Sequence, residues 1–476
     1  MKMQASYYRL KPEWALRGWE NLPHALVNTE SGQVAPLDDA TFLAAAASDG
    51  QTDFDSPIFL VPHRKARDRL LAEGLLERIE TVSPLSELQR YRKAPNPFYK
   101  TLHWSVTGSC NLKCRHCYLC APDWKYEDLS FPQIRRLVDQ MGEAGIMEVS
   151  ITGGEPFFRK DIWEILALFV EKRIRISQIY TNGVLVDDSV LERLESVLGP
   201  QWAKSGGKTD FSLSFDGVGT HDDIRGIKGT EEKTIRAIER IRAHGHFVSI
   251  ETALYRKNVD LMADTLRLLS EKGVGAWKIS GMGDAGKWLE TGGAENLSVR
   301  ETFDCYLDLL KSFIAMGQPL TIQMGGFYMF NKASGMEGSP YGGPGNRSRE
   351  RIMKQYSCNS CRFVRYLLSD GTLLPCISMT GSEIHKHMPN VRSRGLIEAL
   401  RDPGLWEIVS IKVGDLLERN KECAECEHFG GCTLGCRTCA LTYGEGVFAK
   451  DPFTCHYWKE GYPAKIEECI KAHTRN

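Results

Sequence analysis

Cys110-Asn111-Leu112-Lys113-Cys114-Arg115-His116-Cys117-Tyr118 places three thiols on one short stretch, in a Cys-x3-Cys-x2-Cys spacing that ends on an aromatic residue. The run directly follows Leu102 to Val106, whose apolar and aromatic side chains read as a strand, so the thiols sit on a strand-to-helix loop. Three thiolates on one loop suit one corner each of a 4Fe-4S cube and leave the fourth iron without a protein ligand. A structural zinc ion asks for four closed ligands, and His116 or Cys120 would have to supply the fourth.

Outward from this loop the pattern alternates. Strands are expected at Leu102 to Val106, Met147 to Ile151, Arg175 to Tyr180, Phe211 to Phe215, Phe247 to Ala253 and Ala276 to Ser280, with amphipathic helical stretches between them. The first of these helices opens on Ser130 with Gln133 three residues on, a capping box ahead of Ile134, Leu137 and Val138. Six βα units imply a parallel sheet whose reactive loops gather at the C-terminal ends of its strands. Those ends carry Thr152-Gly153-Gly154-Glu155-Pro156, Thr181-Asn182-Gly183 and Ser212-Leu213-Ser214-Phe215-Asp216-Gly217, the last followed by Arg225.

Composition sets the limits. At about 150 residues per domain, the 476 residues make roughly three domains. Sixty Lys+Arg against 61 Asp+Glu leave a net charge of -1, which argues against a generally nucleic-acid-binding surface. No stretch approaches a membrane span and the N-terminal residues lack the apolar core of a signal peptide, so a cytoplasmic location, without membrane or nucleic-acid partners, is expected. The 15 cysteines are absent before Cys110 and crowd into 110–120, 358–376 and 423–455, with Cys305 and Cys469 alone in helical patterns. Such clusters in a chain without an export signal read as metal ligands rather than disulfides.

The cysteine loop and the motifs after the next strands resemble the radical S-adenosylmethionine (radical SAM) superfamily. The resemblance implies a partial (β/α)6 TIM-like barrel of α/β class over 96–285. It also implies a 4Fe-4S cluster on Cys110, Cys114 and Cys117, and S-adenosylmethionine contacts from Gly153, Gly154, Glu155, Asn182, Ser214 and Arg225. Further on, Cys361 is followed by nine residues and Gly371-x4-Cys376, then by Cys423-x2-Cys426-x5-Cys432-x3-Cys436 and Cys455. This array resembles the SPASM auxiliary-cluster domain. It implies two further 4Fe-4S clusters in 356–476, three in all: one on Cys361, Cys376 and Cys436 with Cys358 as candidate fourth ligand, the other on Cys423, Cys426, Cys432 and Cys455. Cys120 and Cys439 have no place in the array. Ile377 stands where sulfatase-maturing relatives carry an acidic residue, which disfavours that reaction.

Residues 1–95 read as short strands at Tyr7 to Leu10, Ala25 to Asn28 and Val34, helices through Phe42 to Ala47 and Pro62 to Glu73, and a closing strand at Gly74 to Ile79. This order resembles the winged-helix-like recognition element of enzymes that modify ribosomally made peptides. Between barrel and cysteine array, 286–355 holds a helix through Thr302 to Met316 and a Gly/Ser/Pro/Arg-rich stretch, Gly325 to Arg351, read as a bridge or lid. Together the parts imply a radical SAM enzyme that oxidatively modifies a precursor peptide recruited by its leader, with reduced ferredoxin or flavodoxin as electron donor. The alternatives are oxidation of a small molecule and a non-catalytic iron-sulfur or zinc scaffold. No catalytic residue is singled out: Tyr118, Tyr356, Asp216 and Cys439 are candidates for proton or hydrogen transfer.

Overall fold

The computed structural model describes residues 6–97, 99–121, 123, 127–204, 208–338, 348–358 and 360–473. The N-terminal part builds two small sheets. β1 (Tyr7–Leu10) pairs antiparallel with β5 (Leu76–Ile79), and β2 (Trp14–Gly18), β3 (Ala25–Asn28), β4 (Val34–Pro36) and β6 (Arg92–Lys93) form a second sheet in the order β4-β3-β2-β6. Helices α1 (Asp39–Ala47) and α2 (Val61–Ala72) pack on each other beside them. Asp38 caps α1 by accepting from the Thr41 N–H at 2.8 Å. The turn between β3 and β4 contains Gly32 at φ 72°, a conformation favoured by glycine. β2 and β6 were not foreseen; β6 pairs over two residues only, too short for a periodic signal.

The predicted alternation builds the central sheet: β7 (Thr101–Ser105), β8 (Glu148–Thr152), β9 (Arg175–Thr181), β10 (Asp210–Ser214), β11 (Phe247–Leu254) and β12 (Ala276–Gly281), all parallel and in sequential order. α3 (Phe131–Glu143) follows β7 with the expected cap: Gln133 Oε1 accepts from the Ser130 N–H at 2.9 Å. One face of every strand is apolar. Leu102, Trp104, Val149, Ile151, Phe211, Leu213, Val248, Ile250, Trp277 and Ile279 form one core with Ile134, Leu137 and Met141 of α3 and the apolar faces of the later helices.

The opposite face is polar. Gln178 Nε2 donates to Ser249 Oγ at 3.4 Å and Lys278 Nζ to Glu251 Oε1 at 2.9 Å. The rings of His103 on β7 and Tyr180 on β9 approach to 4.8 Å between centroids. Two strands apart, their backbones in a flat sheet lie roughly 10 Å from one another. The side chains therefore lean together across a sheet that curls toward its polar side, as a partial barrel does.

The sheet extends beyond the six expected strands. β13 (Thr321–Met324) adds parallel to β12, and β14 (Tyr328–Asn331) and β15 (Met336–Gly338) continue it antiparallel. At the other edge β16 (Val364–Leu367) runs parallel to β7, and β17 (Leu373–Leu374) turns back on it, giving the order β15-β14-β13-β12-β11-β10-β9-β8-β7-β16-β17. The stretch read as a lid thus begins as an edge hairpin; its residues 339–347 lie outside the described residues. The C-terminal region is joined to the barrel through β16 rather than standing apart, and the last helix, Tyr462–His473, packs along Val299–Ala315. No helix among the described residues is long and apolar enough to cross a membrane.

Candidate active site

The cysteine loop leaves the C-terminal end of β7 and is fastened from three sides. Asp128 accepts from the Gly108 N–H at 2.9 Å and from the Thr107 hydroxyl. Behind it, the Gly154 N–H donates to the Thr107 carbonyl at 2.7 Å and the Glu155 N–H to the Ser109 carbonyl at 2.9 Å. On the far side, the Arg115 N–H reaches the Ile224 carbonyl at 2.9 Å and the Lys113 N–H the Arg225 carbonyl at 3.3 Å. The glycine pair is required by backbone contact: a Cβ on Gly153 would stand 2.5 Å from the Thr107 carbonyl oxygen, and one on Gly154 2.2 Å from that of Ser109. Their role in this structure is to seat the cysteine loop against the end of β8.

Glu155 is completely buried, and protein donors occupy both its oxygens. Oε1 accepts from Thr181 Oγ1 at 2.8 Å and from the Phe157 N–H at 3.2 Å, and Oε2 from the Asn182 N–H at 2.8 Å. Burial nevertheless raises its carboxyl to about 7, against the pull of those donors. Asn182, held this way, turns its amide to Asn111 Oδ1 at 2.8 Å and stands 3.9 Å from Cys110 Sγ.

From the β10 end, Arg225 reaches Cys114: Nη1 lies 3.7 Å from Sγ, while Nε stands 2.7 Å from Asp216 Oδ2. Asp216 is fully buried; burial alone would raise its carboxyl, but Arg225 and the neighbouring histidines bring it below the ordinary value. Its N–H donates to His221 Nδ1 at 3.1 Å, so the proton of that imidazole sits on Nε2, which faces Thr234 Oγ1 at 3.4 Å. Thr234 in turn donates to the Asn182 carbonyl at 3.0 Å. Burial lowers His221 to about 3 and His116 to about 4, so both rings are neutral near pH 7. One hydrogen-bonded chain thus ties the β9 and β10 ends together behind the cysteines. Ser214 ends β10 half-buried at the same rim.

The structure therefore brings Gly153, Gly154, Asn182 and Arg225 against the three-cysteine loop, with Glu155 immediately behind. Burial pushes the thiols of Cys110 and Cys117 up, to about 12 and about 11. Thiolates there need a bound cation to displace their protons. Among the described residues no three His, Cys, Asp or Glu side chains converge on a single-ion site. The charges that bear on buried His116 are Arg225, Asp216 and Arg115. An all-thiol set spread over one loop fits the corners of an iron-sulfur cube better than a mononuclear zinc site.

The C-terminal cysteines also assemble. Cys361 hydrogen-bonds both Cys358 and Cys376, which holds those two thiols low and pushes Cys361 up. Thr438 reaches Cys376, so the Cys436 turn adjoins this group, and Cys439 hydrogen-bonds Cys436. Cys423, Cys426, Cys432 and Cys455 bear on one another in a second group. Asp451, which the sequence reading missed, binds the two halves: Oδ2 accepts from the Cys436 N–H at 3.0 Å and from Thr454 Oγ1 at 2.7 Å, while Oδ1 caps the helix carrying Cys455. Tyr118, a sequence candidate for proton or hydrogen transfer, has a partner that the sequence reading missed: the Tyr366 hydroxyl stands 3.4 Å from its own, in a cluster with Leu119 and Ile377.

Residues 104–269 match the family model of the Radical SAM superfamily. The chain carries a radical SAM domain, whose superfamily binds a 4Fe-4S cluster and S-adenosylmethionine. Among curated relatives, Fe-coproporphyrin III synthase of Methanosarcina barkeri is 27% identical over 399 residues, 79% of this chain and 91% of that protein. Mycofactocin maturase MftC of Mycolicibacterium smegmatis is 24% identical over 377 residues, 78% of this chain and 86% of its own. Among solved structures, Streptococcus suis SuiB bound to precursor peptide SuiA superposes with a TM-score of 0.66 at 16% identity, covering 94% of this chain and 99% of that one.

Proposed function

We propose that this protein is a radical SAM enzyme that oxidatively modifies a ribosomally made peptide, with residues 1–95 as the leader-recognition unit and 356–476 as an auxiliary-cluster domain. The observation that carries this reading is the extent of the SuiB likeness. It spans 94% of the chain and 99% of that protein's own, so it takes in most of residues 1–95.

In this reading Cys110, Cys114 and Cys117 hold one 4Fe-4S cluster. Cys358, Cys361, Cys376 and Cys436 hold a second, and Cys423, Cys426, Cys432 and Cys455 a third. Bound at the first site, S-adenosylmethionine supplies a 5'-deoxyadenosyl radical. The chain's own residues position and insulate. Arg225 keeps a fixed positive charge at the cysteine loop, Asn182 and Ser214 offer polar groups at the strand ends, and the glycine pair presents backbone. Reduced ferredoxin or flavodoxin donates the electron.

The test is anaerobic reconstitution of the full chain, reduction, and incubation with S-adenosylmethionine and the translated short reading frames that flank its gene. Formation of 5'-deoxyadenosine together with a peptide two hydrogens lighter, dependent on the leader, supports the proposal. Radical formation without turnover of any such peptide sinks it. A small-molecule substrate is the second reading, favoured by the match over 91% of Fe-coproporphyrin III synthase; turnover of a tetrapyrrole without any peptide would establish it.

A further inference from the structure

Among the described residues, two arginines of the C-terminal region are buried, and they differ in what they are given to bind. Arg437 spends its guanidinium on backbone: Nη1 donates to the carbonyls of Val447 at 2.9 Å and Ala449 at 2.7 Å, Nη2 to that of Gly435 at 3.1 Å, and Nε to the same oxygen at 3.4 Å. It is a clamp for the turn around Cys436.

Arg365, on β16, has no such set. Its side chain is completely buried, and Nη1 donates to the carbonyls of Val364 at 2.8 Å and of Cys361. Nε and Nη2 have no hydrogen-bond partner among the described residues. The guanidinium carbon lies over the Tyr99 ring, 3.5 Å from its centroid. The ionisable groups that bear on it most are Tyr99, Cys361 and Cys358, none of them a carboxylate. A buried cation without a counter-charge is expensive, and folded proteins pair such groups or place them against an anion. Besides the Tyr99 phenol, the groups able to carry negative charge that bear on it are the thiols of Cys361 and Cys358, and Nη1 already touches the Cys361 main chain.

We propose that Arg365 is the counter-charge and hydrogen-bond donor to an iron-sulfur cluster held by that cysteine group, and that it raises the cluster's reduction potential. The inference rests on the reading of these cysteines as cluster ligands. Reduction of a 4Fe-4S cluster adds one electron and moves no atom, so the reduced form carries one more negative charge. A fixed guanidinium in a water-poor site stabilises that form more than the oxidised one, and the N–H bonds of its two uncommitted nitrogens have sulfur as their natural acceptor. A raised potential makes the site a better acceptor for an electron leaving a substrate radical. Arg365 acts through the cluster and is a positioning residue, not a catalytic one.

The experiment uses the full chain with Cys110, Cys114 and Cys117 replaced by alanine, so that only C-terminal clusters load. Iron and sulfide are counted, and the reduction potentials are read by EPR-monitored titration for the unsubstituted Arg365 form, R365K and R365Q. One potential is expected to move to more negative values in R365Q, with R365K between, and the g-values of that signal should change. The other C-terminal signal should stay in place. Should R365Q not yield folded protein, R365K decides by the same comparison. A merely structural role would lower the melting temperature of the variants and leave the potential unmoved; coincident titrations in loaded proteins overturn the proposal. If the parent form itself carries no cluster on Cys358, Cys361 and Cys376, the ligand reading fails first and the role of Arg365 with it.

Discussion

Replacing Gly154 with alanine tests whether the end of β8 seats the cysteine loop. The backbone of Gly154 is not in the left-handed region, so alanine meets no conformational strain there. The added Cβ would stand 2.2 Å from the Ser109 carbonyl oxygen, 2.6 Å from its carbonyl carbon and 2.9 Å from the Gly108 oxygen, all main-chain atoms that cannot rotate aside. Relief requires the loop to retreat by about 1 Å. That retreat stretches the bonds from Gly154 N–H to Thr107 and from Glu155 N–H to Ser109, 2.7 and 2.9 Å long. Two backbone bonds at about 1 kcal/mol each, with overpacking of about 1–3 kcal/mol, put the local cost at roughly 3–5 kcal/mol. The cost falls on the segment that carries Cys110. In anaerobically reconstituted G154A, iron at the first site and 5'-deoxyadenosine formation should fall together while the C-terminal iron stays. The control is G142A in α3, where a Cβ meets nothing within 4 Å and alanine favours the helix. If G154A loads and cleaves S-adenosylmethionine like the parent, the seating argument is wrong.

Further perturbations separate the other elements. Burial raises Glu155 to about 7 from an ordinary 4.5, so its contribution to stability is fully present below about pH 4.5 and lost as the pH rises through 7. Relative to E155Q, the unfolding free energy of the apoprotein from urea titrations should decline over that window, by an amount on the order of 3 kcal/mol; parallel pH profiles would refute it. D216N strands the buried Arg225 guanidinium, and calorimetry should show a loss of about 3 kcal/mol or more; an unchanged melting temperature would mean that Arg225 finds another partner. C110S should abolish 5'-deoxyadenosine formation with the C-terminal iron retained, whereas C455S should remove iron from the Cys423 group and leave reductive cleavage measurable. Iron analysis and chromatography of the nucleoside read both.

The six parallel strands were legible because each has one apolar face that helices cover, and that demand writes itself as alternation. β13 and β16 were not: each is four residues long and takes its place by pairing with a distant neighbour, β12 and β7. The same holds at the site. Residue types and spacing pointed to the cysteine groups, whose members bear on one another in the fold. Nothing local in the sequence marks Asp128, Asp451 or the chain from Asp216 through His221 and Thr234 to Asn182, since these contacts exist only once separate loops are side by side. The resemblance gives Arg225 a contact with S-adenosylmethionine, and nothing in it announces that two of the side chain's nitrogens face Asp216 and Cys114 in the fold. The glycine pair was read as room for a ligand; the close approach found is loop to loop.

The parallel pairing of β16 with β7 bears on how the protein is made. As the chain leaves the ribosome, β7 and its thiol loop emerge early, but the flank of β7 stays bare until Val364–Leu367 arrives. An uncovered strand edge invites pairing with other chains. The nascent barrel therefore depends on its last quarter to become safe from aggregation, and metal inserted early would enter a loop whose neighbour Tyr366 has yet to be synthesised. Truncations that spare every residue matched to the superfamily would still leave this edge open, so loss of solubility, not of chemistry alone, is the expected signature of a shortened chain.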